Sequence, residues 1–517
     1  MKNKQTQKAF INDAASLALS ALIVKIFGML YKVPLSYILG DFGMGYFNTA
    51  YTVYAFFFIL CTTGAPKAIT FMIANSISDS NINNEREILK EGLTLFFKIG
   101  SIGALLLALF SFPISNILGN KNSGYSIIAI APSLLILSLS AVLKGYLQGK
   151  GMFKKVAISQ VIESIGKLLV GLGLSILALK LFGDIKIISA FSMLGISIGS
   201  VVSFVYLIIS TYISLSVVKE EQKTSISNQN IKKEILKTAF PISISASLTS
   251  LVGIFEIGLI MRSLANIGLS ESKANELLGN YTTLSLPMLN FACSLITPIA
   301  IAIIPKLLKD RRVDYQNNST IKAAYKIIFA IGAPIATIFC LYSFDLLDIL
   351  FKSSSSILGG ELLLLLSPTV ILLPLLTLQN TLLEANKHIK YSVISIIGVC
   401  LTRLLFIYLL IGKTPLGIYS VAIATTLSYL AGLILSDGFL QIKGLKTKGN
   451  LGFLNPLLKS MIAYSVPYIL IYKLFYHGII STLLIVFASS VLYLLLCYKE
   501  FSEFFNIKIN KKKIQHL

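Results

Sequence analysis

Apolar stretches recur along this chain from about residue 10 to residue 498, separated by short breaks carrying charge, Gly, Pro or Asn. A helix needs about 20 apolar residues to cross the hydrocarbon of a bilayer, where every backbone polar group must be satisfied internally. The pattern therefore predicts an all-α integral membrane protein of about 14 transmembrane helices. Their approximate places are 10–38, 45–77, 92–118, 124–148, 155–181, 186–218, 236–265, 276–308, 321–350, 358–386, 389–411, 416–441, 455–475 and 478–498, with Pro34, Pro66 and Pro298 as candidate kinks. Of 517 residues, 55% are hydrophobic and 13% charged, against about a quarter charged in soluble domains. No stretch is left for a sizeable water-soluble domain.

The net charge of +22 would raise the question of nucleic acid in a soluble protein. Here the basic residues cluster at short loops, and their placement is topological, because Lys and Arg stay on the cytoplasmic side. With the N-terminus inside, 31 of the 45 Lys and Arg lie in or beside cytoplasmic segments, eight at outside loops and six within helices. The chain is thus expected in the cytoplasmic membrane with both termini inside, together with the 219–235 and 309–320 loops and the Lys508–Lys513 tail. The basic N-terminus runs into an apolar segment without a convincing cleavage pattern and reads as a retained first helix.

Enzyme and cofactor signatures are absent. Cys61, Cys293, Cys340, Cys400 and Cys497 lie in apolar segments without CxxC pairs, and His388, His477 and His516 are scattered. Gly412-Lys413-Thr414 ends like a phosphate-binding loop, but Ile407 stands where the first glycine is required. No ATP, metal or nucleic acid is expected; a coupling cation, H+ or Na+, remains open.

Internal similarity organises the chain. A shift of 230 sets Ala9-Phe10 on Ala239-Phe240, Ser20 on Ser250 and Lys32 on Arg262. At 239, Gly40 meets Gly279 and Pro66-Lys67 meets Pro305-Lys306. At 236, Pro132 falls on Pro368, Lys154 on Lys390, Ile158-Ser159 on Ile394-Ser395 and Lys167 on Arg403. These matches predict an N-terminal lobe at 1–218, a linker at 219–235, a C-terminal lobe at 236–441, two additional helices at 442–499 and a basic tail at 500–517. An even number of helices per copy gives two parallel repeats, with a central cavity between them as the expected consequence.

Ionisable groups inside membrane helices are costly and usually functional. Lys25, Lys32, Lys67, Glu163, Lys167, Glu256, Arg262 and Arg403 fall within the predicted helices. Lys32 with Arg262 and Lys167 with Arg403 are repeat-equivalent, so positive charge recurs in both lobes and favours an anionic cargo such as a phosphate. Lys25, Lys32, Lys167, Arg262 and Arg403 are the candidate substrate-binding residues. Near helix ends, Lys32, Lys67 and Arg262 also have the simpler reading of snorkelling cations. Glu163 precedes Lys167 by four residues, the favourable order for an intrahelical pair; its other reading, shared by Glu256, is ion coupling.

The run Leu143-Lys144-Gly145-Tyr146-Leu147-Gln148-Gly149, then Ser159-Gln160-Val161-Ile162-Glu163 and Lys167, resembles the stage V sporulation protein B and oligosaccharide flippase family. Leu39-Gly40 with Gly43, Gly45 and Tyr46, and Ile304-Pro305-Lys306, are similar too. The family lies in the multidrug/oligosaccharidyl-lipid/polysaccharide exporter superfamily. The resemblance implies a two-lobed fold opening alternately to either side and a polyprenyl-diphosphate-linked saccharide as substrate, held among membrane lipids. In MurJ-like members cations of the first helix line the cavity, and Lys25 and Lys32 match in character; those members carry an arginine in the eighth helix, where Tyr281–Ile304 has no charge. Two other functions fit parts of the pattern. A multidrug exporter coupled to H+ or Na+ would need an acidic or neutral aromatic cavity, and a non-transporting scaffold of a cell-wall or sporulation complex would need no cavity charge.

Overall fold

The computed structural model describes residues 2–78, 82–216, 228–301, 319–351, 356–446, 455–472 and 479–498. These residues fold into helices joined by short turns, with no strand among them. The linker residues 219–227, Pro305-Lys306, most of the 309–320 loop, His477, and the 500–517 tail with Lys508–Lys513 and His516 lie outside the described residues. Among the described residues, nine helices are long and apolar enough to cross a membrane, or ten if the bent pair Ser356–Leu366 and Thr369–Ala385 is one span. The chain is an all-α integral membrane protein. The difference from fourteen has identifiable sources: the stretch Leu19–Ile77 runs as one 59-residue unit where two spans were expected, and several apolar helices are short or border undescribed segments.

The chain divides into two compact units, Met1–Gly279 and Asn280–Leu517. The first begins with α1 (Lys2–Thr62), which continues through Pro34 and breaks at Gly40, where φ is 62° and ψ 176°. A side chain with a Cβ is strained at that positive φ, so glycine sets the place of the break. A second break at Thr63 separates α2 (Gly64–Ser78), and Pro66 sits in the first turn of α2, where a missing N–H costs nothing. Then follow α3 (Ile82–Leu109), α4 (Ser111–Ile117), α5 (Ser123–Ile130), α6 (Pro132–Gly149), α7 (Phe153–Leu181), α8 (Ile185–Ser216), α9 (Asn228–Asn266) and α10 (Glu271–Asn280). One core joins Leu35, Leu39, Phe47 and Val53 of α1 to Ile127 and Ile130 of α5, Leu134 and Leu137 of α6, and Ile188 and Met193 of α8. A second joins Ala68 and Ile69 of α2 to Val142 and Tyr146 of α6 and to Ile231, Ile235 and Ala239 of α9.

The packing of α9 on the first unit moves the contact boundary to residue 279, beyond the charged linker expected at 219–235. Its cause is specific. The Gly64 amide donates to Ser243 Oγ at 3.0 Å, and a Cβ on Gly64 would lie 2.7 Å from the Ala239 Cα. At the expected outer end, Asn275 of α10 donates to the Phe42 carbonyl at 2.6 Å, while Asn120 donates to Asn275 Oδ1 at 2.7 Å and to Thr49 Oγ1 at 2.8 Å. Asn120, Asn275 and Thr49 are fully buried, and hydrogen bonding offsets the cost of placing them there. At the expected cytoplasmic end, Lys150 pairs with Glu85 and Lys232 with Glu91, each at 2.8 Å. Burial pulls the Lys150 ammonium down, but its hydrogen bonds to Glu85 and Tyr146 outweigh that and hold it above the usual lysine value.

The second unit opens with a π-helical turn, Tyr281–Ser285, and continues as α11 (Leu286–Ile301), α12 (Ser319–Leu341), α13 (Ser343–Phe351), α14 (Ser356–Leu366), α15 (Thr369–Ala385), α16 (Ile389–Lys413), α17 (Tyr419–Ile442), α18 (Asn455–Pro467) and α19 (Ile479–Leu496). The two additional helices α18 and α19 share a core with Tyr342 through Ala463, Tyr464 and Tyr493. Two polar contacts tie them to α12: Thr337 bonds Ser460 at 2.7 Å and Tyr493 donates to the Ala330 carbonyl at 2.8 Å.

The turns paired by the 236-residue matches share one C-cap pattern of backbone hydrogen bonds, which also closes α4 and α17. At the α6–α7 turn, Lys150, Gly151 and Met152 donate to Tyr146, Gln148 and Leu147; at the α15–α16 turn, Asn386, Lys387 and His388 donate to Leu382, Glu384 and Leu383. Every partner is displaced by the same 236 positions. So are the bends before α6 and α15, where Ala131 donates to Ile128 and Ser367 to Leu364. Gly151 has φ 72° and its counterpart Lys387 has φ 65°, so the second copy keeps the left-handed turn while carrying a side chain there. Gly151→Ala should lower stability by about 1 kcal/mol and Lys387→Gly raise it by a similar amount. Opposite shifts of the unfolding midpoints of the purified variants are expected; shifts of the same sign would show that the turns are not equivalent.

Candidate functional site

A polar face of α7 presents Gln160, Glu163 and Lys167 at i, i+3 and i+7, the spacing that stacks side chains along one side of a helix. The expected intrahelical pair forms, with Lys167 Nζ 2.6 Å from Glu163 Oε1. Sequence reading missed its partner: Lys144 Nζ of α6 lies 3.0 Å from Glu163 Oε2. One carboxylate thus holds two ammonium groups, one on each oxygen. The side chains are 13% exposed for Glu163, 16% for Lys144 and 29% for Lys167, so the carboxylate lies deepest and the cluster keeps one net positive charge within membrane-spanning helices. The phenols of Tyr54 and Tyr51 are within electrostatic reach of Lys167.

Small residues place this face. Gly166 and Gly171 of α7 meet Gly199 and Gly195 of α8 almost backbone to backbone. A Cβ on Gly166 would lie 2.8 Å from the Gly199 carbonyl oxygen, and one on Gly195 would lie 2.6 Å from the Gly171 nitrogen. Gly195 and Gly199 are four apart, the small-residue spacing that lets membrane helices approach this closely. On the other side, Ser20 of α1 donates to Gln160 at 3.1 Å, and Tyr31 crosses α7 at Gly171, where a Cβ would be 2.8 Å from the ring. Both contacts pair residues 140 apart, so α1 and α7 run parallel in register. At about 1.5 Å per residue, Lys25 lies about 3 Å to one side of the level of Lys167 and Lys32 about 8 Å to the other.

The remaining sequence candidates are distributed. Lys25 is exposed, and Lys32 is half-buried with Asn48 Oδ1 accepting from it at 3.3 Å. Glu256 is buried on α9, 9% exposed. Arg262 is exposed and its Nε donates to the Ile117 carbonyl at 3.1 Å, capping the last turn of α4. In the second unit, Arg403 is half-buried on α16; its Nη2 donates to the Tyr281 hydroxyl at 3.3 Å, and that hydroxyl also bonds Thr425 at 3.3 Å. The positions equivalent to Lys144 and Glu163 are Asn380 and Val399, so the second copy keeps the cation and lacks its carboxylate. No group of three or more His, Cys, Asp or Glu among the described residues is placed to hold a metal ion.

Fold and site together define a multi-pass helical membrane protein with half-buried basic groups in its spans. The chain matches the family described as polysaccharide biosynthesis protein over residues 10–309 and belongs to it. It is 26% identical to the lipid II flippase MurJ of Bacillus subtilis (strain 168) over 458 residues, 83% of this chain and 81% of that protein. It is 23% identical to the stage V sporulation protein B of the same organism over 433 residues, 81% of each. Among solved structures, lipid II flippase MurJ in an inward closed conformation is similar with a TM-score of 0.73 at 15% identity, covering 95% of this chain and 99% of that one. An inward-facing multidrug resistance MATE family transporter of the MOP superfamily reaches 0.59 at 15% identity, covering 82% and 94%. The chain carries the fold of MurJ-like MOP superfamily members.

Proposed function

We propose that this protein is a transporter and not an enzyme: a flippase that moves a polyprenyl-diphosphate-linked saccharide across the cytoplasmic membrane by alternating access. The observation that carries this reading is the Lys144–Glu163–Lys167 cluster, whose net positive charge sits in membrane-spanning helices where an uncompensated charge is costly. An anionic head group supplies the missing compensation. Lys25 and Lys32, flanking Lys167 in depth on the neighbouring helix, extend the same basic face, and Arg403 offers a cation in the second unit. The lipid chain stays among membrane lipids, and both termini face the cytoplasm. Arg262, engaged with the end of α4, is assigned a capping role instead. Coupling to H+ or Na+ falls to Glu256, because both oxygens of Glu163 are taken by ammonium groups.

The MATE-like fold similarity favours one competing reading, export of organic cations. A net positive cluster repels such a cargo. The test is reconstitution of the purified chain in liposomes with two labelled cargoes, a polyprenyl-diphosphate-linked saccharide and an organic cation; movement of the first is expected, and movement of the second alone would overturn the proposal.

A further inference from the structure

The two lysines of the first unit converge on a carboxylate in a way that a simple interhelical tie does not require. One ammonium would suffice to bind α6 to α7 through Glu163, since the Lys144–Glu163 contact at 3.0 Å already spans the two helices. Lys167 adds a second, shorter contact at 2.6 Å to the other oxygen. Each ammonium has three N–H donors, and among the described residues each of these two reaches a single acceptor, on Glu163. The unused donors belong to side chains more exposed than the carboxylate behind them. The duplicated copy shows that the fold does not need the arrangement, because Asn380 and Val399 stand at the positions of Lys144 and Glu163, and Asn380 there accepts from Ser436 at 3.1 Å.

We infer that Lys144, Glu163 and Lys167 form a phosphate-group subsite specific to the first unit, in which Glu163 is a built-in counter-anion that holds the two ammonium groups in place and competes with the incoming phosphate. This rests on the flippase reading and adds to it the role of Glu163. A carboxylate and a phosphate present the same chemistry to Lys, anionic oxygens on one centre, so the incoming group engages the free donors and then shares the ammoniums with Glu163. With Glu163 present the site carries one net positive charge, enough to attract a phosphate group and too little to retain it permanently. Glu163 acts through the lysines and is a positioning residue.

The test is binding of inorganic pyrophosphate to the purified full chain in nanodiscs, by titration calorimetry, beside the thermal midpoint of each variant. Lys144→Gln and Lys167→Gln should each weaken binding about tenfold, the equivalent of one favourable charge contact. Glu163→Gln should tighten binding about tenfold, because it raises the net charge of the site to two. A carboxylate serving only as a structural tie predicts no tightening in Glu163→Gln. Should that variant fail to fold, the double variant K144N/E163V reproduces the neutral pair of the second unit, keeps one net positive charge without the competing carboxylate, and should bind about tenfold more tightly than Lys144→Gln, whose net charge is zero. Unchanged binding in the lysine variants, no tightening in a folded Glu163→Gln, or K144N/E163V binding no more tightly than Lys144→Gln overturns the inference. Lipid-linked saccharide movement by the same variants reconstituted in liposomes separates the two claims: flipping without the predicted binding pattern removes the subsite alone, and the binding pattern without flipping removes the flippase reading alone.

Discussion

Replacing Lys167 with Gln is expected to lower the rate of lipid-linked saccharide movement at least tenfold while leaving the protein folded. The substitution takes the cluster from one net positive charge to zero, because Lys144 still neutralises Glu163 at 3.0 Å. It therefore removes attraction for an anion without leaving a buried carboxylate unpaired, which is the situation that destabilises strongly, by about 3–5 kcal/mol. A tenfold loss corresponds to about 1.4 kcal/mol, within the range of one charged hydrogen bond. Lys167→Arg should restore part of the activity, since charge is kept while the planar guanidinium changes the geometry. The readouts are the transport rate in proteoliposomes and the thermal midpoint. A full rate in a folded Lys167→Gln protein would remove this residue from the mechanism.

The larger effect on folding is expected from Gly199→Leu. A Cβ at that position would lie 2.8 Å from the Lys167 Cα and 2.6 Å from the Gly166 carbonyl carbon, and neither backbone atom can move without parting α7 from α8. Overpacking usually costs about 1–3 kcal/mol; here it falls on a backbone-to-backbone seam, and the remaining side-chain atoms of Leu add to it. The expected outcome is loss of monodisperse protein on size exclusion, with Gly199→Ala intermediate: folded, with a lowered midpoint and reduced transport because Lys167 is displaced. Gly173, where a Cβ meets nothing within 4 Å, is the control, and Gly173→Ala should behave as wild type. If Gly199→Leu matched wild type, the seam would not be what positions the site.

Much of the fold was legible because membrane spans are written in apolar run length, which needs no tertiary knowledge. The matches of Pro132 with Pro368 and Lys154 with Lys390 fall beside turns with the same backbone hydrogen bonds, a C-cap pattern that other helix ends of the chain share. Breaks were harder. Pro34 and Pro66 were natural kink candidates, yet the breaks fall at Gly40, where glycine takes a positive φ, and at Thr63 between α1 and α2, with Pro66 in the first turn of α2. The association of α9 and α10 with the first unit could not be read from a charged linker; it depends on Gly64 meeting Ser243 and on Asn120 meeting Asn275, contacts between residues more than 150 positions apart.

In the candidate site, the Glu163–Lys167 pair followed from i, i+4 spacing, whereas Lys144 looked like a loop-flanking cation of the positive-inside pattern. Only the packing of α6 beside α7 shows that it turns back to Glu163, 19 positions away. Arg262 illustrates the opposite case: repeat equivalence to Lys32 implied cargo binding, while its place at the end of α9 allows it to cap α4. Equivalence in the repeat fixes depth and leaves the partner open, as Lys167 with a carboxylate and Arg403 with a phenol also show.

The most direct test is the transbilayer movement of a fluorescent polyprenyl-diphosphate-linked saccharide in liposomes containing the purified full chain, followed by quenching with a membrane-impermeant reductant. Movement that exceeds protein-free liposomes and falls at least tenfold with Lys167→Gln is the predicted result. Quenching that stops at the outer leaflet with wild-type protein would contradict the account.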